Sequence, residues 1–267
     1  MTDKEFRRIV THMHRNYGID LREKRVIIEG RMSNYLHQCG YQSYDEFMDY
    51  VEKAPAGPQA QRLVDILTTN HTYFLREPEH FDFLRNEILP EWKEKEKYSR
   101  QLRIWCAAAS SGEEPYTIAM VLKDFFGVDY VRWDTTLLAT DVSKKVLLQA
   151  IQGVYTKDHL KGIPGRWLSN NFKKLSEDQY QVRDELKKNV LFRQFNLMDV
   201  FPFHHKMHVV FLRNVMIYFD DATKKELVNK ICDYLEPGGY LIIGTTESIE
   251  KGAFPLKYVG TSIYRRI

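Results

Sequence analysis

Over residues 1–67 the apolar positions fall three and four apart. Phe6, Ile9, Val10 and Met13 form one stripe, and Ile28, Met32, Tyr35 and Leu36 form a second, the spacing of amphipathic helices. Ser43 followed three residues later by Glu46 has the form of a capping box opening a helix through Val51. The prolines and glycine of the stretch KAPAGPQAQ end that helix, and RLVDILTTN starts another that leads away. No strand-like alternation occurs here, so the segment predicts a small all-α domain.

From Arg103 the period changes. The apolar runs RIWCAAA, DTTLLATD, HVVFLRN and YLIIGTT have the length of buried strands. Helical stretches lie between them: Glu113–Phe126 after a turn at Ser110–Gly112, SKKVLLQAIQGVY after the second run, and DATKKELVNKICDYL between the last two. Apolar strands alternating with helices predict a parallel sheet covered on both faces, an α/β domain over 103–267. Residues at about 156–190 break the rhythm. There a helix around Arg166–Phe172 precedes YQVRDEL and KNVLFRQF, which read as strands of a small antiparallel β-subdomain. Residues 68–102 are then a connector. In open parallel sheets ligands lie beyond the carboxyl ends of the strands, so the residues just after each run are the ones to inspect.

Composition narrows the class. The chain has 267 residues, 43% hydrophobic and 28% charged, enough for a large domain plus a small one and too apolar for disorder. A net charge of +3, with no basic–aromatic stripe, gives no reason to expect a nucleic-acid partner. Cys39, Cys106 and Cys232 form no CxxC pair and read as reduced thiols, so neither disulfides nor a metal site is expected. The charged start MTDKEFRRIV does not read as a signal peptide, and no apolar run reaches the ~20 residues of a membrane span. The expectation is a cytoplasmic protein without membrane insertion and, with no coiled-coil pattern, a monomer.

Candidate chemistry sits at the strand ends. After the first strand, the small residues from Ala107 to Gly112 let a ligand approach the backbone. The helix behind them, with Pro115 in its first turn, offers free N–H groups. A single glycine is not the glycine-rich fingerprint of dinucleotide enzymes, which sets a NAD-binding protein aside. Glu113 and Glu114 suit a cationic ligand better than a pyrophosphate, and they equally suit the dipole of an ordinary helix start. Asp141 ends the second strand, where an acid either accepts hydrogen bonds from ribose hydroxyls or joins Ser143 in capping the next helix. Turn and acid together point to an adenosine-type ligand. Asn196 and Asn214 follow further strands, and buried amides need partners. Arg213 is of a type seldom buried unpaired, and Tyr218 and Phe219 follow as candidate pocket walls.

Five blocks carry a resemblance: Asn70-His-Thr-Tyr-Phe-Leu-Arg76, Trp105 to Tyr116 with its SSGEEPY, Ala139-Thr-Asp141, Asn196-Leu197, and Arg213-Asn-Val-Met-Ile-Tyr-Phe219. In order and spacing they resemble the CheR-type chemotaxis receptor methyltransferases over nearly the whole chain. The resemblance implies a Rossmann-like class I S-adenosylmethionine-dependent methyltransferase domain with a small antiparallel β-subdomain, preceded by an all-α N-terminal domain. It implies that Asn70, Thr72 and Arg76 close over S-adenosyl-L-methionine, and that Glu113, or its neighbour Glu114, contacts it. Asp141 would hold the ribose, Asn196 and Leu197 would border the adenine, and Asn214 with Val215 would lie near the methionine part. Leu75 stands where the family usually has a second Phe, one apolar wall exchanged for another.

By the same resemblance the acceptor is a glutamate side chain in the cytoplasmic domain of a membrane chemoreceptor. The products are then a methyl ester and S-adenosyl-L-homocysteine. A carboxylate with a pKa near ~4.3 is ionised at neutral pH, so transfer needs alignment and partial desolvation rather than a general base. None of the nine histidines is expected to be indispensable. Tyr218, Arg213 and Arg76 are the groups expected to orient the incoming carboxylate. Arg22, Lys24, Arg25 and Arg31 around one predicted helix read as a basic face for an acidic receptor segment, with Asp20, Glu23 and Glu29 among them. The stretch KKLSEDQYQVRDEL is short and lacks glycine, so no tether to a receptor C-terminal pentapeptide is expected. Two other readings stay open: the same fold with another acceptor, and a signalling module that binds the cofactor without turnover.

Overall fold

In the computed structural model, which describes residues 1–267, the chain opens with α1 (Asp3–Tyr17), α2 (Arg25–Cys39), α3 (Tyr44–Lys53) and α4 (Pro58–Leu67). The reciprocal capping box lies at α1, between Thr2 and Glu5. At α3 the Ser43 hydroxyl accepts the Glu46 N–H as expected, but the Glu46 carboxylate reaches back one residue further, to the Gln42 N–H at 2.7 Å. Ile9, Met13, Ile28, Phe47 and Leu63 are buried between the helices and join Trp105, Val210, Leu212 and Leu241 of the sheet in one apolar cluster. The helical segment therefore shares its core with one face of the sheet.

A helix interrupted by a π-turn at Leu84–Ile88, α5 (Pro78–Phe83) and α6 (Leu89–Lys95), leads into β1 (Ile104–Cys106), α7 (Glu113–Phe126), β2 (Leu137–Asp141) and α8 (Lys144–Gln152). There follow β3 (Val154–Thr156), α9 (Gly165–Asn171), β4 (Phe172–Lys174), β5 (Gln179–Val182), α10 (Asp184–Lys187) and β6 (Val190–Gln194). Then come β7 (Met207–Leu212), α11 (Asp221–Tyr234), β8 (Leu235–Ile243), β9 (Leu256–Gly260) and β10 (Ile263–Arg266). The main sheet runs β6-β2-β1-β7-β8-β10-β9, parallel from β6 to β8, with β10 antiparallel to both its neighbours. Successive residues of β1 face opposite layers: Trp105 packs towards the helical domain, Ile104 and Cys106 towards α7 and the connector helix. The chain leaves β1 towards β2 on one side and later fills β7 and β8 on the other. The carboxyl ends of β1 and β7 thus flank a topological switch point.

Three expectations need correction. The stretch SKKVLLQAIQGVY is helical only to Gln152, because Gly153 adopts a left-handed conformation and Val154 and Tyr155 enter β3. In YQVRDEL only the first residues are a strand; Asp184 opens α10. KNVLFRQF is not part of the antiparallel subdomain: Val190–Gln194 pairs parallel to β2, Phe192 opposite Ala139. Val190 and Phe192 point into the core while Leu191 and Arg193 face solvent, the alternation of an edge strand. The small antiparallel sheet is β3-β5-β4. No helix is long and apolar enough to cross a membrane.

Candidate functional site

A cleft of about 1020 Å³, counted with its open mouth, lies at the switch point and draws its walls from three parts of the chain. Tyr17, Ile19 and Leu67 come from the helical domain, and residues 68–73 with Arg76 from the connector. Ala107, Ala108, Ser110, Glu114, Asp141, Asn196, Leu197 and residues 213–215 come from the strand ends. Tyr218 and Phe219 complete the wall.

The β1–α7 turn makes the floor. Gly112 has φ +99°, and a Cβ there would stand 2.8 Å from both Ala150 Cβ and the Tyr155 hydroxyl, so only glycine closes this turn. The turn sends the Ser110 N–H to one Asp141 oxygen at 2.9 Å, and the Ser143 N–H takes the other at 2.9 Å. Burial pushes the Asp141 carboxyl above its ordinary value, and these N–H groups pull against that shift. Ser143 also caps α8 and donates its hydroxyl to Asp65 of α4 at 2.7 Å. Ser143 is the cap of α8, and Asp141 lines the cleft with its carboxylate fixed.

Of the two acids starting α7, Glu114 lines the cleft and Glu113 does not. Successive helical positions point about 100° apart. That rotation buries Glu113 away from the cleft, where it accepts the Ser111 hydroxyl at 2.7 Å and burial raises its carboxyl. Glu114 turns to the guanidinium of Arg213 and also accepts from the Cys106 thiol at 3.0 Å. Arg213 is buried, lies 5.2 Å over the Phe81 ring, and donates to Glu77 at 3.0 Å and to the Arg76 carbonyl. Both terminal nitrogens of Arg213 are therefore taken by Glu114, Glu77 and the connector backbone. This corrects its expected role, since it has no free fork for an incoming carboxylate.

Asn214, in a left-handed conformation at φ +56°, gives its side-chain amide to Glu77 at 3.2 Å and its backbone N–H to Glu247 at 2.8 Å. Glu247 also accepts the N–H of Gly244 at 2.7 Å and of Ile217 at 3.3 Å. Neither Glu77 nor Glu247 lines the cleft, and sequence reasoning missed both. Glu247 lies just past the carboxyl end of β8, so the rule that singled out Asp141 would have reached it.

The other sequence-predicted residues converge on the cleft. Asn70 accepts the Ser110 hydroxyl on its carbonyl at 3.0 Å, and Thr72 lies two residues on. Arg76 donates to the His71 carbonyl at 2.9 Å and lies 5.8 Å over the Tyr73 ring, at the exposed rim. Asn196 donates to the Asn16 carbonyl at 2.7 Å, and Leu197 and Val215 add apolar wall. The Tyr218 hydroxyl reaches the Thr69 carbonyl at 3.4 Å, and the Tyr218 carbonyl accepts the Asp20 N–H at 2.8 Å. An isolated bridge pairs Ile19 with Phe219 beside it.

The basic face on α2 is mostly neutralised. Arg22 grips Asp20, Arg25 holds Asp3 and Glu29, and Arg31 donates to the carbonyls of Ile66, Leu67 and Thr68. Lys24 alone of the four has no such partner. The expected patch thus shrinks, because its arginines are engaged, Arg22 with a neighbouring acid and Arg25 and Arg31 also with groups distant in sequence.

Residues 70–264 match the family model described as "CheR methyltransferase, SAM binding domain", and residues 4–68 match "CheR methyltransferase, all-alpha domain". The chain is 42% identical over 270 residues to the chemotaxis protein methyltransferase of Borreliella burgdorferi, covering 100% of this chain and 95% of that one. It is 34% identical over 254 residues to a probable chemotaxis protein methyltransferase of Rhizobium etli, covering 93% and 94%. The corresponding Escherichia coli protein is 33% identical over 253 residues, covering 93% and 85%.

Proposed function

Because the chain belongs to the CheR methyltransferase family, we propose that it methylates glutamate side chains in the cytoplasmic domain of membrane chemoreceptors, at the expense of S-adenosyl-L-methionine. The observation that carries this reading is Asp141, facing the cleft at the end of β2 with its carboxylate fixed by two backbone N–H groups beside a turn of small residues. That arrangement fits an adenosine: the remaining lone pairs of Asp141 accept ribose hydroxyls, and Ala107 and Ala108 leave room beside them. When bound, the cofactor supplies a methyl group activated by its sulfonium. Asn196 and Leu197 border the adenine. Asn214, Val215 and Glu114 face the methionine part, and Asn70, Thr72 and Arg76 cover it from the connector.

Tyr218 and Arg76 orient the acceptor carboxylate, and Arg213 secures the floor beneath them. The acceptor is already an anion at neutral pH, so positioning and desolvation carry the reaction, and too tight a grip would oppose the loss of its charge in the transition state. The loop Leu175–Asp178 joining β4 and β5 is short and without glycine, which supports docking without a receptor pentapeptide tether. We read the enzyme as a cytoplasmic monomer. The test is transfer of labelled methyl groups to purified receptor, with the modified residues mapped. Base-labile methyl esters on glutamates are expected. Label on another acceptor would replace the substrate, and cofactor binding without transfer would leave a signalling module.

A further inference from the structure

The turn after β7 carries Asn214 and Tyr218, two residues of the proposed site, yet the group that shapes this turn stands outside the cleft. We infer that Glu247 is a positioning residue for methyl transfer: its buried carboxylate sets the backbone of the 214–218 turn, and through it the placement of Asn214 and Tyr218. The inference rests on the function proposed above.

Glu247 is 8% exposed and has no cationic partner. A buried carboxylate without a counter-ion is costly unless hydrogen bonds satisfy it, and an apolar residue would fill the same space more cheaply. What satisfies it here is backbone alone. One oxygen accepts the N–H of Asn214 at 2.8 Å and of Gly244 at 2.7 Å, and the other accepts the N–H of Ile217 at 3.3 Å. Burial raises this carboxyl, and the N–H bonds oppose that rise, so the turn and the charge hold each other.

The held conformation is left-handed. Asn214 sits at φ +56°, a region asparagine enters more readily than other L residues, and the contacts from Glu247 and Glu77 fix it there. Space is reserved for the contact as well: a Cβ on Gly244 would collide with the Asn214 amide and stand 2.8 Å from the Glu247 carboxylate. From Asn214 the turn continues as a 3-10 segment, Met216–Tyr218. There the Tyr218 N–H returns to the Val215 carbonyl at 3.1 Å, and the ring is carried to the cleft wall. Glu77 holds the same asparagine by its side chain, but it also pairs with Arg213, so its removal would disturb the floor. Glu247 has no contact with Arg213 and holds only the backbone of the turn and of Gly244 beside it.

The experiment uses the full chain as wild type, Glu247→Gln, Glu247→Ala, and Glu250→Gln, an exposed acid three residues on. S-adenosylhomocysteine affinity is measured by calorimetry and methyl transfer to receptor by single turnover, at a temperature where circular dichroism shows each protein folded. An amide keeps one acceptor oxygen and turns a donor towards an N–H. Glu247→Gln is therefore expected to weaken binding about tenfold and to slow transfer further, with Glu250→Gln unchanged. Tyr218→Phe should cost less in the Glu247→Gln background than in wild type, a coupling that lost stability alone would not produce. If Glu247→Ala does not fold, Glu247→Gln carries the test. A Glu247→Gln protein with wild-type affinity and turnover overturns the inference, and so does one whose only change is a lower melting temperature. A wild type that neither binds nor transfers removes the functional reading, and this inference with it.

Discussion

The Ser143 hydroxyl meets the Asp65 carboxylate at 2.7 Å across the seam between the helical domain and the sheet. Ser143 is also the residue whose N–H fixes Asp141, so a helix of the N-terminal domain steadies the acid proposed to hold the ribose. Asp65→Ala leaves the cap of α8 in place. It is expected to weaken cofactor binding several-fold, read by calorimetry, with little change in melting temperature. Ser143→Ala removes the cap too and should cost about 1 kcal/mol of stability in addition. Unchanged affinity in Asp65→Ala would reduce the seam to a packing contact.

Arg213 is the cation shared by two part-buried carboxylates, Glu77 and Glu114. Arg213→Met leaves both acids without it, and urea unfolding should show a loss of about 3–5 kcal/mol. Adding Glu77→Gln should recover part of that loss. A penalty under about 1 kcal/mol would mean that water or a shifted connector replaces the guanidinium.

The Tyr218 hydroxyl has only a long contact, 3.4 Å to the Thr69 carbonyl, and is otherwise available at the cleft wall. Tyr218→Phe is expected to lower turnover about tenfold or more, the cost of one hydrogen bond to a charged group, with cofactor affinity nearly unchanged. Steady-state kinetics with receptor, paired with calorimetry, separates the two. Equal and small effects on both would remove Tyr218 from the mechanism.

His208 lies fully buried with its ring centroid 4.2 Å from that of Trp92 and its Nδ1 accepting the Arg103 N–H at 2.9 Å. Burial, with the Arg103 guanidinium beside it, brings its pKa down from 6.5 to about 4. The folded state holds this imidazole neutral while the unfolded chain protonates it, so its contribution is complete above pH ~6.5 and falls away towards pH 4. The loss is of order 3 kcal/mol at the lower end. His80, lowered chiefly by burial and then by Arg213, adds with the same sign. Denaturation midpoints measured across this window should fall, and His208→Gln should flatten the slope. Stability independent of pH between 6.5 and 4 would contradict it.

What the sequence displayed well were groups whose environment is local. The strands β1, β2, β7 and β8 are continuous apolar runs because both faces are covered, and the residues at the ends of β1, β2 and β7 line the cleft. The edge strand β6 was misplaced because one of its faces is wet, and its alternation imitates an antiparallel excursion. Gly153 punctuates a helix that the apolar period would have carried on. The pattern of acids and bases was the poorest guide. Glu77 and Glu247 resemble any surface acid until the fold brings Arg213 and Asn214 to the one and backbone N–H groups to the other, and Glu113 and Glu114 differ only by a helical rotation. Arg25 and Arg31 looked free because Asp3 and the carbonyls of residues 66–68 are distant along the chain.

The bridge between Ile19 and Phe219, with Tyr17 and Leu67 in the same wall, makes the helical domain a structural part of the cleft. A ligand that binds only the completed cleft stabilises whatever must be folded to complete it. At a concentration of 100 Kd that linkage is worth about 2.7 kcal/mol. Here it falls on the helices and the sheet together. Saturating cofactor should therefore move a single calorimetric transition upward as a whole, rather than splitting off a sheet that melts late from helices that melt early.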